Sequence, residues 1–450
     1  MFKVKIDSRK VTPGDTYVAV KGHTVDGHDY IEQAIEKGAV KIIATHGSYS
    51  VETVLVEDPM DYITKFLIDE YKDVLSDMKL IGMTGTNGKT TTCYLTYQML
   101  NKLGIKCGYI GTIGYYLDDM VCELPNTTPN IVELYELIIG AYEKGYKTLV
   151  MEVSSHALSL GRVEGLNFFT GAFSNLTQDH LDYHKTMESY LEAKLTILDH
   201  MSGTFISNMD DECGIKFDRG NTLGIGYNAN DYKLLSYENI PTGTLIKFSY
   251  EGKEYEIKNS LRGKFNVYNF LTCVAMCNRF VSLEEIINIS ESISAPRGRC
   301  QIIPVKNGEA VVDYAHTPDA VEKIIDAFTE HKTGKIITVV GCGGDRDPLK
   351  RPIMGRIASD KSDYCVFTSD NPRTEEPQPI LDQVVDGAVK DNYIAVIDRR
   401  EAIIKALDMI ENDGDTVLIL GKGHEDYQII GHDKIHFDDV EEVLNYRDAI

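Results

Sequence analysis

The chain alternates short apolar runs with stretches in which apolar residues recur every three or four positions, the pattern of strands joined by helices. Near the start, strand-like runs at 16–20, 40–44 and 53–56 bracket a helical pattern at 30–37 that stops at Gly38, glycine being a common helix terminator. From residue 80 the alternation resumes, with runs at 80–83, 107–110, 148–153 and 171–173. A third series has runs at 310–312, 336–340, 364–368, 393–396 and 416–420. The fold class expected is α/β with three domains: 1–79, a small α/β unit; 80–296, a P-loop-type, mainly parallel sheet with helices on both faces; and 297–450, a Rossmann-like unit.

In such sheets ligands gather beyond the carboxyl ends of the strands, and the polar motifs of this chain fall there. The stretch 80–92, LIGMTGTNGKTTT, reads as strand, Gly-rich loop and helix start. Freed backbone N–H groups and a helix N-terminus cradle phosphate oxygens, Lys89 reaches the outer phosphates, and the Thr90 hydroxyl can ligate Mg²⁺. The strict G-x-x-x-x-G-K-[ST] spacing is not met, because Met83 stands where its first glycine belongs. Glu152 closes another strand, where a carboxylate suits Mg²⁺. His180 and His184 stand four apart; His180 is expected to touch a metal or phosphate, and His184 to be structural. Lys194 lies in a helical pattern, and spacing alone makes it an exposed helix lysine.

In the last domain, 341–346 (GCGGDR) follows a strand but carries Arg346 where a dinucleotide fingerprint needs glycine. Arg373 in 370–373 (DNPR) offers a planar fork for a carboxylate, and Glu425 in 421–425 (GKGHE) offers an acid for an ammonium group. Together these loops form a pocket suited to a zwitterion.

Composition narrows the partners. Lys+Arg 46 against Asp+Glu 69 leaves a net charge of −23, which argues against a nucleic-acid binder. No apolar run reaches the roughly 20 residues of a membrane span, and MFKVKIDSRK at the start lacks the apolar core of a secretion signal. Nine cysteines without a C-x-x-C pair fit a reducing compartment. A cytoplasmic protein without membrane insertion is expected.

Taken together, 84–92 (TGTNGKTTT), 126–129 (NTTP), 151–156 (MEVSSH), 175–184 (NLTQDHLDYH), 313–318 (DYAHTP), 341–347 (GCGGDRD), 370–373 and 421–425 resemble the Mur ligase family. Within that family they resemble the MurE branch, which adds the third residue of the peptidoglycan peptide. The resemblance implies an ATP- and Mg²⁺-dependent, monomeric ligase joining meso-diaminopimelate to UDP-N-acetylmuramoyl-L-Ala-D-Glu through an acyl phosphate. The alternative it leaves is a paralogue that adds another amino acid, such as L-lysine, or uses a related acceptor.

By resemblance, ATP contacts Gly85, Thr86, Asn87, Gly88, Lys89, Thr90 and Thr91, with Asn266, Arg299 and Asp313. The metal is held by Thr90, Glu152 and His180, and Lys194 is the carbamylated lysine. Lys89, Glu152, His180 and Lys194 form the catalytic set. Ser8, Thr127, Thr128, Ser154 and Arg162 match contacts to the UDP-muramoyl-dipeptide, and Arg346, Asp370, Asn371, Pro372, Arg373, Gly421 and Glu425 match the diaminopimelate pocket. Relative to the family the sequence starts almost at Asp7-Ser8-Arg9, and Leu160 replaces a frequent glutamine. The hinge-region pattern Pro-Gly-Arg-x-Glu becomes 295–301, APRGRCQ. A phosphotransferase that stops at the phosphorylated product, or a binding module without turnover, would share the phosphate loop. An amine requirement for ADP release separates the ligase from both.

Overall fold

The computed structural model describes residues 2–22, 25–240, 243–330 and 332–449. His23 and Thr24, in the polar cluster at 22–28, lie outside the described residues. The chain divides into two compact units, Met1–Ile225 with Val274–Ser282, and Gly226–Cys273 with Leu283–Ile450.

The first unit opens with four parallel strands in sequence order, β1 (Val4–Lys5), β2 (Thr16–Val18), β3 (Lys41–Ala44) and β4 (Glu52–Leu55). Successive residues of a strand face opposite ways, so this small sheet feeds two cores. Tyr17, Ile42 and Ala44 pack with Ile31 and Ala34 of α1 (Ile31–Glu36). Val18 and Ile43 share a core with Ile63 and Leu67 of α2 (Pro59–Asp77). The latter helix starts where Asp58 accepts the N–H groups of Met60 and Asp61 at 2.8 and 3.0 Å and Pro59 fills the first turn, a position that needs no donor.

The larger sheet of this unit is built from β5 (Lys79–Thr84), β6 (Cys107–Gly111), β7 (Gly114–Tyr116), β8 (Met120–Cys122), β9 (Thr148–Glu152), β10 (Phe168–Phe173), β11 (Met201–Asn208) and β12 (Thr222–Gly226). Their order is β12-β11-β10-β5-β9-β6-β7-β8. All neighbours are parallel except the β6-β7-β8 meander. Helices α3 (Lys89–Lys102), α4 (Ile131–Glu143), α5 (Ser155–Ser159), α6 (Leu181–His184) and α7 (Met187–Leu195) fill the connections. Strand β5 lies between β9 and β10, so their three following loops stand side by side.

The second unit begins with an antiparallel meander, β13 (Tyr232–Ile240), β14 (Gly243–Tyr250) and β15 (Lys253–Asn259), which is not among the strands the apolar runs predict. Helices α8 (Lys264–Cys277, its residues to Cys273 in this unit) and α9 (Leu283–Ile289) follow. Its main sheet holds β16 (Gln301–Val305), β17 (Gly308–Asp313), β18 (Ile336–Cys342), β19 (Tyr364–Ser369), β20 (Tyr393–Val396) and β21 (Thr416–Leu420). The order is β16-β17-β21-β18-β19-β20, parallel except for the edge strand β16.

Both faces of this sheet are covered, which is why its strands read as unbroken apolar runs. Val311, Val340 and Leu418 pack under α10 (Pro318–Thr329), α11 (Lys350–Lys361) and α12 (Pro377–Val385). Val312, Val339 and Ile419 pack under α13 (Arg399–Asp408) and, after the β22–β23 hairpin (Tyr427–Ile430, Asp433–His436), α14 (Asp439–Ala449). Helix α10 shows the sequence logic: Thr317 caps it, Pro318 starts it, and Val321, Ile324, Ile325 and Phe328 form the buried stripe.

Helices α13 and α14 are joined by a fully buried ion pair, with Arg399 donating to both Asp439 oxygens at 2.8 and 2.7 Å. Removing one partner strands a buried charge. Asp439→Asn is expected to cost about 3–5 kcal/mol of unfolding free energy, read as a lower urea midpoint at unchanged slope; an unchanged midpoint would show that water already reaches the pair.

Candidate active site

In the first unit the loop after β5 is fixed before any ligand arrives. Gly85 has φ 144°, and a Cβ there would sit 1.9 Å from Ser174 Oγ, so only glycine lets the loop lie against the end of β10. Thr86 N–H donates to Asn175 O at 2.8 Å and Asn87 N–H to Asn175 Oδ1 at 3.0 Å. Thr177 N–H donates to Thr86 Oγ1 at 3.0 Å. Gly88, left-handed at φ 89°, turns the chain into α3, whose first residues are Lys89, Thr90 and Thr91. A helix N-terminus behind a rigid loop is an anion cradle.

Two lysines meet at this loop. Lys89 Nζ donates to the carbonyls of Gly85 and Thr86, each at 2.9 Å. Lys194 Nζ, from α7, donates to the same Gly85 carbonyl at 2.8 Å and stands 4.4 Å from the centre of the Tyr190 ring. Spacing alone made Lys194 an exposed lysine; it is 1% exposed. Burial, and then the charge of Lys89, push its pKa well below that of an ordinary lysine. A lowered pKa enlarges the neutral fraction of the amine.

Glu152 is the last residue of β9, opposite Met83 in β5, and only 1% exposed. Its Oε1 accepts from Tyr109 OH at 2.6 Å and Thr112 N–H at 2.8 Å. Its Oε2 accepts from Thr90 Oγ1 at 2.9 Å and Thr112 Oγ1 at 3.1 Å. Tyr109 and Thr112 escaped the sequence reading. The available signal was position, since Thr112 lies just beyond β6, the strand next to β9. Glu152 and Thr90 fit Mg²⁺ by chemistry, being hard oxygen donors that stand side by side, 2.9 Å apart.

His180 immediately precedes α6. It is left-handed at φ 54°, and its ring lies 4.8 Å from that of His156 and 6.1 Å from that of Tyr190. Among the described residues no group of three or more His, Cys, Asp and Glu is arranged to hold a metal. Burial, then His180 and His184, hold His156 at a pKa of about 4. His184 is buried against Ser155, with Nε2 2.9 Å from Oγ, in keeping with a structural role.

The residues matched to the sugar-peptide substrate gather around the end of β9, apart from one. Thr127 and Thr112 hydroxyls are 3.0 Å apart, and Thr128 Oγ1 donates to Glu152 O at 2.8 Å. Arg162 Nη1 donates to Thr128 O at 2.8 Å, and Ser154 caps α5. Ser8 belongs to the small sheet's region, donating to Gln33 Oε1 at 2.6 Å beside the Asp7–Arg9 turn. Leu160 is exposed.

In the second unit Asp313 ends β17 and accepts from Cys300 N–H at 2.7 Å and Ala315 N–H at 2.8 Å. Burial raises its pKa, while Arg299 and those N–H groups oppose the rise. The Arg299 guanidinium lies 4.3 Å over the Tyr314 ring. Asn266 is buried in α8, donating to Arg262 O at 2.9 Å and accepting from Asn269 at 3.1 Å.

Neighbouring strands β21, β18 and β19 bring 421–425, 341–346 and 370–373 together. Arg373 is left-handed at φ 52° after Pro372, and its Nη1 donates to Gly344 O at 2.8 Å. Arg346, on the same loop as Gly344, is exposed and donates to Asp345 O at 3.3 Å. Gly344 N–H donates to Asn371 O at 2.9 Å, and Asn371 Nδ2 to Glu425 Oε2 at 2.9 Å. Gly421 has φ 119°, and a Cβ on it would approach Asp370 Oδ2 to 2.6 Å. Gly344 thus links the Arg373 guanidinium to the Asn371–Glu425 pair.

Comparison with known proteins matches this architecture. The family model for the Mur ligase middle domain matches residues 83–277, that for the Mur ligase glutamate ligase domain 298–423, and that for the Mur ligase catalytic domain 3–70. The chain is 43% identical to UDP-N-acetylmuramoyl-L-alanyl-D-glutamate--2,6-diaminopimelate ligase 1 of Clostridium acetobutylicum, over 98% of this chain and 93% of that one. It is 39% identical to the corresponding ligase of Bacillus cereus, over 97% and 92%. A solved UDP-N-acetylmuramoyl-L-alanyl-D-glutamate--2,6-diaminopimelate ligase superposes with a TM-score of 0.71 at 30% identity, over 100% of this chain and 95% of that one. A MurF ligase from Thermotoga maritima, in complex with ADP, superposes at 0.72 and 21% identity, over 99% and 97%, a likeness of fold. With identity of this level running almost end to end, the chain belongs to the Mur ligase family.

Proposed function

We propose that this ligase uses ATP to join diaminopimelate, as its meso isomer, to UDP-N-acetylmuramoyl-L-Ala-D-Glu in peptidoglycan synthesis. The observation that carries the reading is 37–43% identity over nearly the whole chain to ligases named for that reaction. Three functional regions are part of the proposal: 1–79 for the UDP-sugar, 80–296 for ATP and 297–450 for the amino acid. So are a cytoplasmic location and a monomeric state; among the described residues no helix is long and apolar enough to cross a membrane.

A carboxylate is a poor acyl donor, so the D-glutamyl γ-carboxylate first attacks the γ-phosphorus of ATP, giving an acyl phosphate and ADP. The loop amides of 85–91 and Lys89 offset charge on the transferring phosphoryl group. Thr90 and Glu152 would hold Mg²⁺, which supplies further charge neutralisation at the phosphate oxygens. The neutral diaminopimelate amine then adds to the acyl carbon, and the tetrahedral adduct loses the nitrogen's extra proton and expels inorganic phosphate to leave the amide. Thr127, Thr128, Ser154 and Arg162 bind the sugar-peptide, with Ser8 towards its uridine end. Asn266, Arg299 and Asp313 contribute to nucleotide binding. Arg346 and Arg373 receive carboxylates of the amino acid, Asp370 and Glu425 receive ammonium, and Asn371 lines the same pocket.

ADP release measured with the UDP-muramoyl-dipeptide and a panel of amino acids tests the reading. Release that depends on diaminopimelate is expected. Release with L-lysine instead would make the chain the paralogue, and release without any amine would make it a phosphotransferase.

A further inference from the structure

Lys422 lies between the two glycines of 421–425, and the reaction as proposed gives it no role. Its ammonium group is 0% exposed, an arrangement that long cationic side chains almost never adopt unpaired. It donates to Asn371 Oδ1 at 3.2 Å and to Asp370 Oδ1 at 3.4 Å, and stands 3.5 Å from Glu425 Oε2. The Tyr427 ring is 5.7 Å away. One buried cation therefore touches both acids assigned to the ammonium group, Asp370 and Glu425, and Asn371 beside them.

We propose that Lys422 is a positioning residue for the incoming amino acid: it gathers Asp370, Asn371 and Glu425 into one constellation and fixes the charge they present. The inference rests on the assignment of these loops to the amino acid. The cluster joins two acids, Asp370 and Glu425, to one base, Lys422, so with all three ionised it would present a single negative charge, the complement of one ammonium group. Two buried carboxylates without Lys422 would present −2, which a low-dielectric site relieves by taking up a proton.

Glu425 is the group that would take it. Burial and then Asp370 raise its pKa, whereas Lys422 and Asn371 oppose the rise. The other ionisable neighbours facing it are Tyr314, Tyr427 and the more distant Arg399. A protonated Glu425 cannot pair with ammonium. Removing Lys422 therefore weakens amine binding below the raised pKa of Glu425 and restores it as the pH climbs through that value.

The experiment compares KM for diaminopimelate and for ATP, from pH 6.5 to 9.5, in wild type, Lys422→Met and Glu425→Gln. Lys422→Met is expected to raise the diaminopimelate KM at least about tenfold at neutral pH, to recover towards wild type at high pH, and to leave the ATP KM in place. Glu425→Gln is expected to raise the same KM with no recovery. A diaminopimelate KM in Lys422→Met that matches wild type, or a rise that does not change with pH, overturns the inference while the Glu425→Gln result keeps the pocket assignment. No effect of Glu425→Gln overturns the pocket itself. Should Lys422→Met fail to fold, Lys422→Met/Asp370→Asn keeps the cluster at −1. Its diaminopimelate KM should then be pH-independent, and a KM that falls with pH overturns the charge role.

Discussion

Lys194→Ala is expected to stop amide formation almost completely, and small carboxylates such as formate or acetate are expected to restore part of it. The side chain enters from α7 and ends on the carbonyl of Gly85, at the base of the phosphate loop. Burial and the neighbouring Lys89 lower its pKa well below that of a free lysine, so a larger fraction is the neutral amine. That is the form that adds CO₂: the nitrogen lone pair bonds carbon, one proton leaves, and a neutral group becomes an anionic pair of oxygens. The carbamate is proposed, by resemblance, as an oxygen donor for a Mg²⁺ that Thr90 and Glu152 would hold. Alanine removes those oxygens, at a cost of roughly 100- to 1,000-fold in kcat, the scale for losing one fixed electrostatic contact to the transferring group. A free carboxylate in the vacated space replaces oxygens but not an ammonium group. Rescue by formate therefore speaks for the carbamate; rescue by methylamine instead would show that lysine acts as an unmodified cation.

This lysine also marks the limit of what the chain reveals by itself. The pattern at 190–194 reads as helical, and α7 is there, but it says nothing of which helical lysine turns inward. The inward turn is decided by the Gly85 carbonyl 109 residues away, a tertiary contact absent from any local window. The parallel strands were legible because both faces are buried and their apolar runs are unbroken, as in β18 and β21. The antiparallel meander β13–β15 was not, because its exposed residues alternate with buried ones and dilute the run. Glu152 was found from its place at a strand end. Tyr109 and Thr112, its donors, were not, since only the pairing of β6 with β9 brings them to it. Lys422 was hidden for a similar reason: it sits inside a quoted motif, and its importance comes from partners 51 and 52 residues away.

Arg373→Ala is expected to raise KM for diaminopimelate about 10- to 100-fold, the loss of a charge-assisted contact of roughly 1.5–3 kcal/mol, while KM for ATP moves less than about twofold. The backbone of Arg373 is tied on both sides, its N–H donating to Ile429 O at 3.0 Å and its carbonyl accepting from Gly431 N–H at 2.7 Å. The left-handed φ of 52° that this demands is strained for a non-glycine residue. The strain aims the side chain across the loop after β18, where Nη1 holds Gly344 O at 2.8 Å. Among the described residues the guanidinium bonds only through Nη1, so its remaining donors are open to a carboxylate in two-point geometry. Diaminopimelate carries a second carboxylate and lysine does not. The variant should therefore lose discrimination between the two amines chiefly by losing diaminopimelate, with kcat/KM for lysine little changed. Arg373→Lys should not recover it, because a point charge on a flexible stem cannot make the paired contact. Equal increases in KM for ATP and diaminopimelate would mean that Arg373 only supports the fold of its loop, and that the second carboxylate is read elsewhere.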